Sequence, residues 1–149
     1  MRRFVAAGFG AGLLPQRLYG SHNGAGTFGA AVALVIGIFL IPAPWWVDLL
    51  VAIAAIVVSL WAAAPFAVDG ADPAWVAIDE VAGTLVAMIG LSGVPFIAAV
   101  IVSRLLDIYK VAPGIKETEA LHGAVGVTFD DVAAGLYGLG VGWLLTAWL

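Results

Sequence analysis

An all-α, polytopic membrane helix bundle is the fold class this sequence predicts, and three observations predict it. Apolar residues make up 63% of the chain and charged residues only 11%, against about a quarter charged in a typical soluble domain. The apolar residues fall in helix-length runs, each closed by proline, glycine or a short polar stretch. The acids and bases collect near the ends of those runs. A water-soluble domain of 149 residues leaves too much area exposed to hide this much apolar surface, so lipid must be the solvent for a large part of it. Residues 1–149 read as one membrane-embedded domain.

The chain opens with Met1-Arg2-Arg3 and a short apolar stretch, Phe4 to Leu14. A secretory signal would lead to a small-residue cleavage site and a polar mature chain. Here glycines recur and further apolar runs follow, so the stretch is expected to stay in the fold as a re-entrant or interfacial segment. About five crossings come next. The first runs from about Phe28 to Ile41 and is ended by Pro42-Ala43-Pro44, after which Trp45-Trp46 marks an interface belt. The second, from about Trp46 to Phe66, is long enough to cross a bilayer core. Asp69-Gly70-Ala71-Asp72-Pro73 is a polar turn. The third, from about Val76 to Leu91, carries Asp79 and Glu80 in its first turns and is broken by Ser92-Gly93-Val94-Pro95. The fourth, from about Pro95 to Val111, holds Arg104, Asp107 and Lys110 in its last turns. A polar segment from Ala112 to Thr128 contains Glu117, Glu119 and His122, and the fifth helix starts at Asp130-Asp131 and runs to Leu149.

Charge excludes some functions and orients the rest. A net charge of −4 without any basic run argues against nucleic-acid binding, and the absence of cysteine removes disulfides, thiol nucleophiles and cysteine metal sites. With a cytoplasmic N-terminus, five crossings put Arg2, Arg3, Arg17, Arg104, Lys110 and Lys116 all inside, as the positive-inside tendency requires. The same count carries the start of the third helix, the end of the fourth and the start of the fifth to that face.

Asp79, Glu80, Asp107, Asp130 and Asp131 would then gather around two nearby cations, Arg104 and Lys110. Intramembrane charges are normally paired, hydrated or bound to ions. The excess of acid repels itself unless protons or a divalent cation neutralise it, and hard oxygen ligands suit Mg²⁺ or Mn²⁺. Taken alone, each acidic pair could simply complement a helix N-terminus. Asp107 lies near a C-terminal end, where the dipole disfavours an anion. Its alternative is a local ion pair, because Arg104, Asp107 and Lys110 fall on one helical face. That face also suits a phosphate clamp.

Smaller signals accompany the acids. Asp79-Glu80-Val81-Ala82-Gly83 and Asp130-Asp131-Val132-Ala133-Ala134-Gly135 look alike, and Gly83 and Gly135 would allow close helix approach. Gly8-Phe9-Gly10-Ala11-Gly12 and Gly24-Ala25-Gly26-Thr27 could offer N–H groups to a phosphate or serve helix packing. The Gly138 to Gly142 spacing could support a homodimer or internal packing.

Taken in order, Gly8 to Pro15, Gly26-Thr27-Phe28-Gly29, Ile78-Asp79-Glu80-Val81-Ala82-Gly83, Arg104-Leu105-Leu106-Asp107-Ile108-Tyr109-Lys110, His122-Gly123 and Asp130 to Gly135 resemble the blocks of the phosphatidylglycerophosphatase A family. The resemblance implies Mg²⁺-dependent hydrolysis of phosphatidylglycerol phosphate, a membrane phospholipid, at the cytoplasmic face of a bacterial inner membrane. It further implies metal or catalytic roles for Asp79, Glu80, Asp107, Asp130 and Asp131, with Asp79, Glu80, Asp107 and Asp131 as the metal set. Arg104, Lys110, Thr27 and His122 become the substrate contacts. The chain departs from the family pattern at Ala25, in about six extra residues around Tyr19 to Gly24, at Lys110-Val111-Ala112-Pro113-Gly114 and at Ala124.

Other classes fit less well. An ion-coupled transporter should continue its polar path outward, whereas the acids are expected at one face with none on the outer half of a span. A lipid phosphotransferase would carry an Asp-Gly-x-x-Ala-Arg signature, and Asp69-Gly70 leads instead into Ala71-Asp72-Pro73. A phosphatase of another lipid phosphate remains the near alternative. An activated water and a carboxylate nucleophile are both open as the attacking group.

Overall fold

The computed structural model describes residues 1–68 and 73–149, so Asp69 to Asp72 of the expected polar turn lie outside the described residues. It is helical, with no strand among those residues. Two short helices, α1 (Arg2–Ala6) and α2 (Leu14–Tyr19), flank a 3₁₀ turn at Ala11–Leu13. The longer elements are α3 (Ala25–Leu40), α4 (Trp45–Ala63), α5 (Ile78–Ala87), α6 (Gly93–Tyr109) and α8 (Ala124–Trp148), with the short α7 (Ile115–Glu119) before α8.

The centre is α5. Nine of its ten residues are buried, as expected of a helix apolar nearly all round, and it packs against α3, α4 and α8, while α6 packs chiefly on α8. Glycines set the spacing. A Cβ at Gly83 would strike the backbone of Asp131, and one at Gly135 would strike the carbonyl of Gly83. The two look-alike segments therefore face each other across the closest helix contact. Gly138 and Gly142 are buried against Ala99, Ser103 and Leu91, so that stripe is used inside the bundle.

The N-terminal segment folds over the start of α5. Ala77 N–H donates to Ala6 O at 2.9 Å, Arg2 stacks over Trp61, and Arg3 over Trp75. The amides of Gly8, Gly10 and Gly12 donate to Val5, Phe4 and Ala7 carbonyls, and Gly12 lies against the Trp75 carbonyl. Of the two readings of this stretch, packing is the one realised.

Only α4 and α8, of 19 and 25 residues, are long and apolar enough to cross a membrane by themselves among the described residues; α3 is apolar but has 16. Three expectations need correction. The third helix stops at Ala87 and spans about 15 Å. Gly90, at φ +66°, turns the chain, and the turn is held by remote groups. Gly90 N–H donates to Asp48 Oδ2 at 2.9 Å, and Trp143 Nε1–H donates to Ile89 O at 3.2 Å. Asp48 therefore sits at the end opposite the other acids, contrary to the expectation that none lies there; its work is to close this turn. Finally, α8 begins at Ala124, so Asp130 and Asp131 lie in its second turn, buried, and do not complement a helix N-terminus.

The glycine contacts give a test within one helix. Gly135→Ala should destabilise by about 1–3 kcal/mol through overpacking. Gly140→Ala, which meets nothing within 4 Å, should stabilise by about 0.5–1 kcal/mol. Thermal unfolding of both variants in detergent checks the opposite signs.

Candidate metal and phosphate site

Four helices deliver the polar residues to one end of the bundle. The first turn of α5 supplies Asp79 and Glu80; the second turn of α8 supplies Asp130 and Asp131; the last turns of α6 supply Arg104, Asp107 and Lys110; and α3 begins beside them. A Cβ at Gly26 would collide with Glu80 Oε1 and come within 2.7 Å of Arg104 Nη2. Glycine lets the first turn of α3 come close to both groups; a larger residue would displace the ends of those side chains.

Asp79, Glu80 and Asp131 each present a carboxylate oxygen, all within 4.8 Å of one another. At that distance, and an effective dielectric near 20, each ionised pair repels by about 3 kcal/mol. Asp79 and Asp131 are buried, and Glu80 Oε2 is buried with no hydrogen-bond partner. Such an oxygen costs free energy unless something binds it. The donor set is hard oxygen throughout, so these residues fit a small divalent cation.

Arg104 ties the cluster to α6. Its Nη1 lies 2.9 Å from Asp107 Oδ2 and 3.4 Å from Asp131 Oδ1. Asp107 thus joins through the guanidinium and stands outside the three-carboxylate group. Lys110, at a positive φ of 49° where α6 ends, reaches across to Asp130 Oδ2 at 2.9 Å. The backbone amides of Glu80 and Asp131 donate to Asp79 Oδ1 and Asp130 Oδ1. Thr27 is exposed in the first turn of α3 and shares a groove with Arg104. His122 is exposed before α8, away from the three-carboxylate group.

Two features escaped the sequence. Thr84 is buried with an unpartnered hydroxyl one turn beyond Glu80; its i+4 spacing was the available signal. Ser59 and Thr128 share a buried hydrogen bond of 2.8 Å that ties α4 to α8 below the acids.

With this geometry in hand, comparison with known proteins is decisive on one point. The family model for phosphatidylglycerophosphatase A matches residues 4–146. The chain belongs to the phosphatidylglycerophosphatase A family. A Bacteroides thetaiotaomicron protein provisionally named a phosphatidylinositol-3-phosphatase is 32% identical over 144 residues, covering 89% of this chain and 86% of the relative. No solved structure matches. Membership in phosphatidylglycerophosphatase A makes this chain a membrane protein and a lipid phosphatase, and every acid of the cluster falls within the matched residues.

The ion pair between helices can be tested apart from activity. Lys110→Met leaves the Asp130 carboxylate buried without its cation and should cost about 3 kcal/mol. Lys110→Met combined with Asp130→Leu should recover most of that loss. Thermal unfolding of the singles and the double completes the cycle.

Proposed function

We propose that this chain hydrolyses phosphatidylglycerol phosphate to phosphatidylglycerol and inorganic phosphate, with Mg²⁺ held by Asp79, Glu80 and Asp131. The observation that carries the reading is three buried or half-buried carboxylates meeting at one point, with Glu80 Oε2 unpartnered, beside the Arg104 guanidinium. Bound Mg²⁺ would supply Lewis-acid polarisation of phosphoryl oxygens and a more acidic water.

The protein's own groups do the rest. Arg104, held by Asp107 and Asp131, is oriented to take two phosphate oxygens in its planar fork. Thr27 and the first turn of α3 add a hydroxyl and helix N-terminal N–H groups on the same side. Lys110 and Asp130 pair with each other, and we assign them to holding α6 against α8. In the net reaction water adds to phosphorus and the bond from phosphorus to the lipid oxygen breaks. The lipid oxygen takes up a proton, so one water is divided between phosphate and lipid alcohol.

We place this end of the bundle at the cytoplasmic face of the membrane. All six basic residues of the chain belong to elements at or near it, as the positive-inside tendency asks. Trp45 and Trp61 stand about 24 Å apart along α4, a spacing suited to two interfacial belts. Multi-pass embedding then combines α4 and α8 with the shorter α3, α5 and α6, whose backbone groups are satisfied within the bundle.

A phosphatidylinositol 3-phosphate substrate is the second reading, favoured by the name of the Bacteroides relative. Phosphate release in detergent from both lipids, with Mg²⁺ and with EDTA, separates the two. Release is expected from phosphatidylglycerol phosphate, abolished by EDTA and reduced on the order of 100-fold in Asp79→Asn. Faster release from the inositol lipid would select the second reading. Undiminished release in EDTA would remove the metal from the mechanism.

A further inference from the structure

We propose that the crevice between α3 and α6 is an acyl-chain groove, by which the lipid substrate lies alongside the acidic site without leaving the bilayer. The inference rests on the lipid-phosphatase reading above and adds how the substrate's tail is received. Two cavities line up between these helices. One, of about 330 Å³, has Thr27 and Arg104 at its head and Leu34 and Leu105 below. The other, of about 650 Å³, continues past Ile38, Ile97 and Val94 to Ile41. Ile101 lines both and marks the neck where they join.

The crevice follows from packing choices elsewhere. α3 turns its small residues chiefly to the two ends of α5, with Gly29 against Ala77 and Gly37 against Met88, and meets α6 at the Phe96 ring beside Gly37, while α6 is drawn to α8 by Gly138 and Gly142. The two helices flank α5 without packing closely on each other. Phe96 and Val100 are buried in the floor, and Ile38, Ile97, Ile101 and Leu105 are about half exposed along the opening.

Its chemistry selects an occupant. The groove is apolar along its length except for one cation and one hydroxyl, Arg104 and Thr27, both at the site end. An anionic head with an apolar tail matches that polarity from end to end. From Thr27 to Ile41 the groove runs about 21 Å at the helical rise, enough for the ~15 Å depth of one leaflet. Another crevice, of about 410 Å³ beside Phe4, Phe9 and Leu14, includes neither Arg104 nor any of the acids. Continuity with the site therefore distinguishes the α3–α6 groove.

The test uses the whole protein in phosphatidylcholine vesicles with phosphatidylglycerol phosphate carrying a photoactivatable diazirine midway along one acyl chain. Adducts should concentrate on Ile97, Ile101 and Leu105, well above those on Val57, which is lipid-exposed on α4, and excess unlabelled substrate should remove the difference. Ile101→Trp, which fills the neck, should lower kcat/KM for a dihexadecanoyl substrate about tenfold more than for a dihexanoyl one. Val57→Trp should change neither. Adducts spread evenly over α4 and α6, or an Ile101→Trp that lowers both chain lengths by the same factor, would overturn the groove. Wild-type protein that releases no phosphate from either chain length, while adducts remain between α3 and α6, would reject the hydrolase reading and support the groove as a lipid site. Active protein with evenly spread adducts rejects the groove alone.

Discussion

Everything at the polar end depends on how closely α5 approaches α8. Gly83 and Gly135 remove the side chains that would keep these helices apart, so that each helix meets the other's backbone directly. In a bilayer there is little hydrophobic gain in pressing two apolar helices together, and close packing of small residues takes its place. One turn of helix separates each glycine from the acids that precede it, Asp79-Glu80 and Asp130-Asp131. The contact therefore fixes the distance between carboxylates. Wider packing would leave two solvated acidic helix turns rather than one crowded cluster.

Crowding is costly, and the neighbouring helices divide that cost. Lys110 offsets Asp130, while Arg104 is shared between Asp107 and Asp131. What is left is concentrated at Asp79, Glu80 and Asp131, where a buried Glu80 oxygen has no partner. A structural role would favour replacing such a group by an apolar one. Excess buried acid at a fixed place, with its orienting cation alongside, is instead what binding a cation and a phosphate together requires.

Much of this was legible in the sequence because it follows from local rules. Charges at helix ends, the matched acidic pairs with their glycines, and the breaks at Pro42 and Gly93 are all short-range signals. What could not be read depends on remote partners. The first turns of α8, Ala124 to Phe129, hold one glycine and three β-branched residues of weak helix propensity, and they form because Gly126 and Thr128 are buried and Thr128 bonds Ser59. That extension moves Asp130 and Asp131 from a helix start into the interior. Likewise α5 ends early because Asp48 and Trp143, distant in the chain, hold the turn at Ile89 and Gly90. The role of Gly26 was half visible: its motif pointed to phosphate, whereas the contacts show that a larger residue would displace the Glu80 and Arg104 side-chain ends.

The shortness of α5 then has a consequence for substrate access. A central helix of ten residues reaches only about half the depth of a bilayer core, and beyond Ala87 the bundle is filled by the turn that Asp48 holds. α3 packs along α5, α6 packs along α8, and the two diverge wherever neither needs the other. The resulting cleft opens on the side of the bundle while the acids remain at one end. A phosphatase whose site lies away from the bilayer must draw its lipid toward that site before reacting. A bundle whose core helix stops halfway can leave the tails where they are and bring only the phosphate to Arg104.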